Sequence, residues 1–317
     1  MALWTIGLLI RNRYDFIHAH EEAVFFCTFL KPLFGVGLVY DMHSSLPQQL
    51  SNFEFTKSRM ITGLFTRLEN LALKRSDAVI TICPELADYA LEHISEKSKH
   101  FLIENSIFEP VKLKRTSSRD HADTQELDAS PAERQPLVVY AGTMEPYQGL
   151  DMLVDSFKSV AEAVPGAHLL MVGGRPDQVR ALRERAEAAG IGESVTVCRR
   201  VSQAAVQECL DWAQVQVSPR SSGTNTPLKV YQQLAGGVPL VATRIRSHTQ
   251  VLDDEVAYLV EPTPRSMAEG ICEAISDGKE NNPRAAAARR LYERRYSRSA
   301  YEEKIESLME RVRLCVE

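Results

Sequence analysis

The sequence contains no Cys-x-x-Cys pair: Cys27, Cys83, Cys198, Cys209, Cys272 and Cys315 lie far apart. That excludes the common zinc-ribbon and thiol-redox arrangements and fits a reducing cytosol. The apolar start, MALWTIGLLI, falls well short of the ~20 residues that span a bilayer. Arg11 and Arg13 follow this run rather than precede it, and no small-residue cleavage site comes after, so it is not a secretory signal. A buried helix running into a strand at 16–18 is the expectation. Positive charge is not in excess either. With 37 Lys and Arg against 42 Asp and Glu, the net charge is -5, which speaks against nucleic acid as the partner. No internal repeat of fixed period is found, which excludes a solenoid.

What is present describes an ordinary globular protein. Its 317 residues are 44% hydrophobic and 25% charged, enough for two domains with cores of their own. Residues 109–136 are polar, charged and almost free of large apolar side chains. They cannot bury a core and read as an interdomain linker with a flexible insertion. After them, strands at 137–141, 168–172, 194–198, 215–217, 238–241 and 257–260 alternate with helices at 150–163, 176–189, 203–213, 227–235 and 266–276. Such alternation predicts a parallel sheet covered on both faces. The first half has strands at 16–18, 35–41, 76–83 and 101–104. Between them Met60, Ile61, Leu64, Phe65, Leu68 and Leu71 repeat with helical period and are expected to pack on the core. Lys57, Arg59, Arg67, Lys74 and Arg75 give that helix a solvated basic face, with a membrane surface as the alternative use.

The stretch 215–243, VQVSPRSSGTNTPLKVYQQLAGGVPLVAT, is a strand–loop–helix–strand unit. Pro227 sits where a helix begins, since its missing N–H costs nothing at the first helical position. Gly236 and Gly237 end the helix. Free backbone N–H groups at such a start attract anions, phosphate above all, and Lys229 adds a point charge in the first turn. The alternative is an ordinary βαβ corner with a solvated Ser/Thr loop. His18, His20, Glu21 and Glu22 raise the question of a metal, because alternating histidines share one strand face. No third partner has recognisable spacing, so a polar strand end lining a cleft is expected and no metal is assigned. Arg199 and Arg200 end another strand, either in contact with a ligand's base or phosphate or simply exposed.

YQQLAGGVPLVAT resembles the donor-nucleotide motif of family 4 glycosyltransferases, retaining enzymes of the GT-B fold. Their usual form is E-x(7)-E, with the second Glu in a segment similar to EAMAxGxPVVAT. On that match Gln232 stands at the second Glu and Thr224 at the first, so both acids are replaced by neutral residues. The SPRSSGTNTPLK segment is similar to the signature of a subgroup of the family. The resemblance implies that Gln232 holds the ribose hydroxyls. It implies also that Arg220, Gly223, Thr224, Asn225, Thr226 and Lys229 hold the diphosphate. In the loop GTMEPYQGLD, Thr143 and Gln148 replace an Arg and a Lys that neutralise the departing diphosphate in most members. Their role is expected to pass to Lys229, Arg220 and the helix N-terminus. His43, directly after the strand at 35–41, matches the family's catalytic-loop histidine, which contacts the donor sugar. Ser44, Ser45, Gln48, Gln49 and Glu21 fall on the acceptor side, and Arg199 and Arg200 near the nucleotide base.

The expected fold is therefore α/β of GT-B type, two Rossmann-like doubly wound domains facing a cleft, the first lacking its initial strands. Residues 1–108 form an incomplete acceptor-side domain and 109–136 the linker. Residues 137–298 form the nucleotide-sugar-binding domain, and 299–317 a helix returning to the first domain. The function implied is retaining transfer of a sugar from a nucleotide diphosphate sugar to an acceptor hydroxyl, in surface-polysaccharide or glycoconjugate assembly. A non-catalytic sugar-nucleotide-binding protein and a GT-B sugar-nucleotide 2-epimerase are the alternatives. The epimerase would need acid–base carboxylates that the motif has lost at 224 and 232. No metal or other cofactor is expected. The partners are a nucleotide sugar and a glycan or lipid-linked acceptor, in the cytoplasm or at the inner membrane surface.

Overall fold

The computed structural model describes residues 1–47, 50, 59–105 and 136–316. Gln48, Gln49, Lys57 and the 109–135 stretch lie outside the described residues. The chain divides into two compact units, Met1–Ser106 with Arg298–Glu317, and Ile107–Ser297.

In the first unit four parallel strands, β1 (Phe16–His20), β2 (Gly37–Met42), β3 (Ala78–Thr81) and β4 (His100–Leu102), lie in the order β1-β2-β3-β4. β2 is nearly continuously apolar because both of its faces are covered. One face packs Leu38, Tyr40 and Met42 beneath α2 (Ala23–Phe34), α3 (Arg59–Arg75) and α4 (Pro84–His93). The other packs Val39 and Ile80 against Leu308 and Val312 of the C-terminal helix, Arg298–Val316. Lys304 pairs with Glu104, and Arg311 with Glu96 at 3.0 Å, on the same side.

Two expectations of burial are overturned. The N-terminal run does form a helix, α1 (Ala2–Arg11), but only Leu9 is buried, and Leu3 and Trp4 are 86% and 75% exposed. Its apolar residues occupy every face, and a single neighbouring helix can cover only one stripe. Leu9 fills that stripe, against Leu30 and Val36. In α3, Met60, Ile61 and Leu64 are likewise exposed, while Glu69, Ala72 and Leu73 are the buried residues.

The second unit has six parallel strands: β5 (Leu137–Ala141), β6 (His168–Gly174), β7 (Val195–Arg199), β8 (Val215–Ser218), β9 (Leu240–Thr243) and β10 (Tyr258–Val260). Their order is β10-β9-β8-β5-β6-β7. Helices α5 (Leu150–Ala163), α6 (Pro176–Ala188), α7 (Gln203–Trp212), α8 (Leu228–Gly236), α9 (Arg246–Thr249), α10 (Pro264–Asp277) and α11 (Pro283–Arg295) follow the strands. Val138 and Tyr140 face one apolar layer with Leu153 and Phe157. Leu137 and Val139 face the other, with Leu170, Val172 and Cys209. Fully burying one such side chain contributes about 1.5–3 kcal/mol. β5 has β6 on one side and β8 on the other, so the chain order reverses there. In a doubly wound sheet that reversal opens a crevice beyond the carboxyl ends of the strands. No helix among the described residues is long and apolar enough to cross a membrane.

Candidate functional site

At the reversal in the second unit, three loops approach one another because two glycines permit it. A Cβ at Gly173, whose φ is +121°, would lie 2.2 Å from the Gly142 carbonyl oxygen. One at Gly149, with φ +69°, would lie 2.1 Å from that of Pro219. Only glycine takes such backbone at no steric cost. The loop after β5 is tied to the loop after β8 by Ser221 N–H, which donates to the Tyr147 carbonyl at 2.9 Å.

Arg220 organises the loop that carries it. Its Nε donates to the Ser222 carbonyl at 2.6 Å, and its Nη1 to that of Asn225 at 3.0 Å. The guanidinium also stands 5.3 Å from the Tyr147 ring centre, within cation–π range. Gly223 passes beside it, and Gln250 Nε2 holds the Thr224 carbonyl at 2.6 Å. α8 starts at Leu228, one residue later than the sequence suggested. Pro227 has the φ of a helix, -65°, but its ψ of 133° leaves it as the N-cap, and its side chain caps nothing. Val230 N–H donates to the Pro227 carbonyl at 2.9 Å, which leaves the Leu228 and Lys229 amides without a side-chain cap at the helix start.

Lys229 lies in that first turn. Its Nζ donates to Gln148 Oε1 at 3.1 Å and stands 4.3 Å from the Tyr140 ring centre. Among the described residues neither Lys229 nor Arg220 has a carboxylate ion-pair partner. Loss of hydration, and then repulsion from Arg220, push the Lys229 pKa down to about 7. Burial also holds Arg220 below its ordinary value. The Thr226 hydroxyl is buried with no partner among the described residues.

The remaining expected residues are spread around this core. Thr143 is exposed, and its carbonyl accepts from Tyr140 Oη at 2.6 Å; Gln148 is buried on Lys229. Gln232 is exposed on α8, one turn beyond Lys229. Arg199 lines a recess of about 630 Å³ beside α6 with Val179 and Arg183, while Arg200 is exposed.

Sequence reasoning missed His248. It is fully buried in α9, where Nε2 is 3.0 Å from Ser218 Oγ and Nδ1 is 2.9 Å from the Thr243 carbonyl. The Thr243 hydroxyl in turn donates to the Arg220 carbonyl. His248 thus joins the ends of β8 and β9 and fixes the loop of Arg220. Desolvation pushes its pKa down to about 4, so it is neutral there. A lone histidine between Ser247 and Thr249 carries no sequence signal of this.

The first unit gathers a different set of groups. His20 and Asp41 are register partners in the parallel β1–β2 pair, so they share a face, as does His18 two residues before His20. Asp41 lies 3.2 Å from His18 Nε2 through one oxygen and 3.2 Å from His43 Nε2 through the other. Burial acts against the charged carboxylate, but these two bonds outweigh it and hold Asp41 well below the usual range. The same bond raises His43 above its ordinary value, against the effect of burial. His18, Asp41 and His43 line a cavity of about 360 Å³ with Glu104 and Tyr301 of the same unit.

Glu21 adopts φ +53°, a strained value for a residue with a side chain. Its N–H donates to the Asp41 carbonyl at 3.0 Å, and its carboxylate accepts from Ser44 Oγ at 2.8 Å. Burial raises its pKa. Ser45 turns the other way. It is buried and donates to Glu69 Oε1 at 2.7 Å, so its hydroxyl holds the loop in place. Glu69 also accepts from Leu46 N–H at 3.1 Å and Tyr89 Oη at 2.6 Å, a clamp that the sequence did not reveal.

Comparison with known proteins covers both units. Residues 2–107 match the family described as Glycosyltransferase Family 4, and residues 135–277 the family described as Glycosyl transferases group 1. The phosphatidyl-myo-inositol mannosyltransferase of Mycobacterium tuberculosis is 26% identical over 198 residues, 60% of this chain and 51% of that protein. The chain thus spans about half the length of this relative. The D-inositol 3-phosphate glycosyltransferase of Xylanimonas cellulosilytica is 30% identical over 156 residues, 49% of this chain and 37% of that protein. Among solved structures, Anabaena HepE in complex with UDP superimposes with a TM-score of 0.74 at 16% identity, covering 98% of this chain and 82% of that one. The sucrose-phosphate synthase of Thermosynechococcus elongatus gives 0.70 at 18% identity, covering 99% and 77%. With both units matched in chain order, the protein belongs to the group 1, family 4 glycosyltransferases and has their α/β GT-B fold.

Proposed function

We propose that the protein transfers a sugar from a nucleoside diphosphate sugar to an acceptor hydroxyl with retention of anomeric configuration. The observation that carries this reading is the pair Arg220 and Lys229, two desolvated cations without a carboxylate partner among the described residues, beside the open start of α8. Such a site is poorly satisfied until an anion arrives. A diphosphate brings the charge that is lacking.

In this reading Lys229, Arg220, the Thr226 hydroxyl and the first amides of α8 stabilise the charge that gathers on the diphosphate as its bond to the sugar breaks. The loop 223–226 cradles the phosphates, with Thr143 at its margin. Gln148 lacks the cation that its position usually carries in the family. Its amide instead holds Lys229, so the charge enters from α8 rather than from the loop after β5. Gln232 addresses the ribose and Arg199 with Arg200 the base side. His43 serves the sugar and the acceptor, its protonation set by Asp41, and Ser44 with Glu21 supplies acceptor contacts. The acceptor hydroxyl attacks the face that the diphosphate leaves, and no side chain becomes covalently attached. No metal is assigned to the transfer step. The acceptor is a glycan or lipid-linked alcohol of glycoconjugate or surface-polysaccharide assembly, at a cytoplasmic membrane face. Inositol-bearing alcohols belong in the first panel tested, because both named relatives act on them by name.

Calorimetry with UDP, GDP and ADP tests the anion site. Replacing Lys229 by Ala should weaken the best of them by about 1.5–3 kcal/mol, the range for hydrogen bonds to charged groups. Unchanged affinity in a folded variant would remove Lys229 from the site. Labelled nucleotide sugars then separate the chemistries. Transfer or slow donor hydrolysis supports the proposal, inversion at C2 an epimerase, and binding without turnover a scaffold.

A further inference from the structure

We propose that His20, Asp41 and His43 form a capture site for a divalent cation of the zinc class, at the carboxyl end of the first unit's sheet. The set differs from the alternating His18 and His20 that the sequence brought to notice. It exists because β1 and β2 pair in parallel with His20 opposite Asp41, and because His43 follows Asp41 by two residues. One nitrogen from each histidine and one oxygen from Asp41 lie within 4.8 Å of one another. The two imidazole rings are already stacked at a tilt, with centres 4.4 Å apart.

The geometry needs little adjustment. Two bonds of about 2.0–2.1 Å meeting at a tetrahedral angle hold their donor atoms about 3.4 Å apart. His43 Nε2 and Asp41 Oδ1 stand at 3.2 Å. Only His20 has to close in, and it is exposed and can turn. Two imidazoles and one carboxylate suit Zn²⁺, Co²⁺ or Ni²⁺, whereas Mg²⁺ and Ca²⁺ favour all-oxygen sets. Three protein donors leave a fourth position for water. The second Asp41 oxygen is held by His18 Nε2 at 3.2 Å, the kind of outer bond that orients a ligating carboxylate. The main chain beneath is fixed by the Glu21 N–H on the Asp41 carbonyl.

Capture has a consequence that rests on the proposed role of His43. Once its Nε2 binds a cation, it no longer bonds to Asp41, and the histidine is withdrawn from sugar and acceptor. The cation acts as an inhibitor of transfer, not as a cofactor.

Binding is measured without any nucleotide sugar, so that its failure and a failure of the transferase reading are told apart. The full chain is titrated with Co²⁺ and followed by the visible absorption of the bound ion, then back-titrated with Zn²⁺. One ion per chain is expected. Replacing His18 by Ala should weaken binding about tenfold, as loss of an outer-shell partner does. His20→Ala and Asp41→Asn should weaken it further, and His93→Ala, on another element of the unit, should leave it unchanged. Circular dichroism of each variant reports folding. Absence of a Co²⁺ spectrum, or equal affinity in wild type and folded His20→Ala, would overturn the site. Zn²⁺ inhibition of transfer that persists in His20→Ala would overturn the inhibitory role alone.

Discussion

Both units end their parallel sheets in polar clusters, yet the two clusters are built on opposite principles. In the first unit the groups satisfy each other: Asp41 serves two histidines, Glu21 takes Ser44, and Glu69 takes three donors. In the second, Arg220 and Lys229 are held in place by carbonyls, an amide and aromatic rings, none of which neutralises them. A cluster of the first kind is assembled in advance and offers neutral or proton-bearing groups to a hydroxyl. One of the second kind keeps its electrostatic demand for a ligand. Damage to the first should therefore appear as lost stability, and damage to the second as lost affinity.

The largest effect is expected at Glu69. Replacing it by Ala takes a charged acceptor from the buried Ser45 hydroxyl and from the half-buried Leu46 N–H and Tyr89 hydroxyl, at about 1.5–3 kcal/mol for each hydrogen bond to a charged group. The first unit should lose roughly 3 kcal/mol or more, read from urea unfolding and from faster amide exchange across β2 and the loop after it. Glu69→Gln keeps one acceptor oxygen and should lose less. Lys229→Ala should lower stability far less, because it removes a desolvated charge that only the Gln148 amide and the Tyr140 ring offset. If the two variants destabilise equally, the contrast between the clusters fails.

His248 provides a pH test of the second cluster's frame. Its pKa is about 4 in the folded chain, against an ordinary 6.5, because of burial and the nearby cations Lys229 and Arg220. Between those values the unfolded chain holds a proton that the folded chain does not. Stability is then complete above pH 6.5 and is lost as pH falls toward 4, by about 3 kcal/mol in all. Replacing His248 by Gln should flatten that part of the profile. An unchanged acid profile in the variant would show that the imidazole is not the group responsible.

How far these roles were legible in the sequence depends on how local they are. The βα alternation of the second unit and the strands of the first are written in short apolar runs, and the structure reproduces them. The burial of α1 was misjudged because an apolar run predicts a helix, not the number of neighbours it will have. The Lys229–Gln148 contact joins residues 81 positions apart, and the Ser45–Glu69 bond a loop to a helix. Neither follows from periodicity. Gln148 could be noticed only as the absence of a cation, and His248 not at all. The cluster around Asp41 required the register of β1 on β2, which fixes face and neighbour together.

A smaller effect is expected from the pH dependence of donor binding. With a pKa of about 7 in the free protein, Lys229 is largely neutral at pH 8. A diphosphate favours its charged form and raises that pKa. Binding above pH 7 should then take up as much as one proton, and affinity should fall by up to tenfold per pH unit. Calorimetry at pH 8 in buffers of different ionisation enthalpy counts the proton, and Lys229→Ala should abolish the uptake. The sign matters: proton release, or none, would mean that the diphosphate does not meet this ammonium.

The smallest and most specific effect concerns Gln232, which tests whether the second cluster extends along α8. Residues three apart share a helix face, so Gln232 follows Lys229 on one side of α8. It is exposed, and its amide can both donate to and accept from a vicinal diol. Replacement by Leu should cost about 0.5–1.5 kcal/mol of nucleoside diphosphate affinity, the net worth of an ordinary hydrogen bond. Glu offers two acceptor oxygens to the ribose hydroxyls but also brings negative charge within reach of Lys229. It should bind at least as tightly as Gln where the ribose contact dominates, and more weakly where the diphosphate does. A 2′,3′-dideoxynucleoside diphosphate separates the two contributions, since it retains the phosphates and lacks the diol. Gln and Leu should bind that analogue equally and differ only on the ribonucleotide. If they differ by the same amount on both, Gln232 acts through the shape or charge of α8 and does not face the ribose.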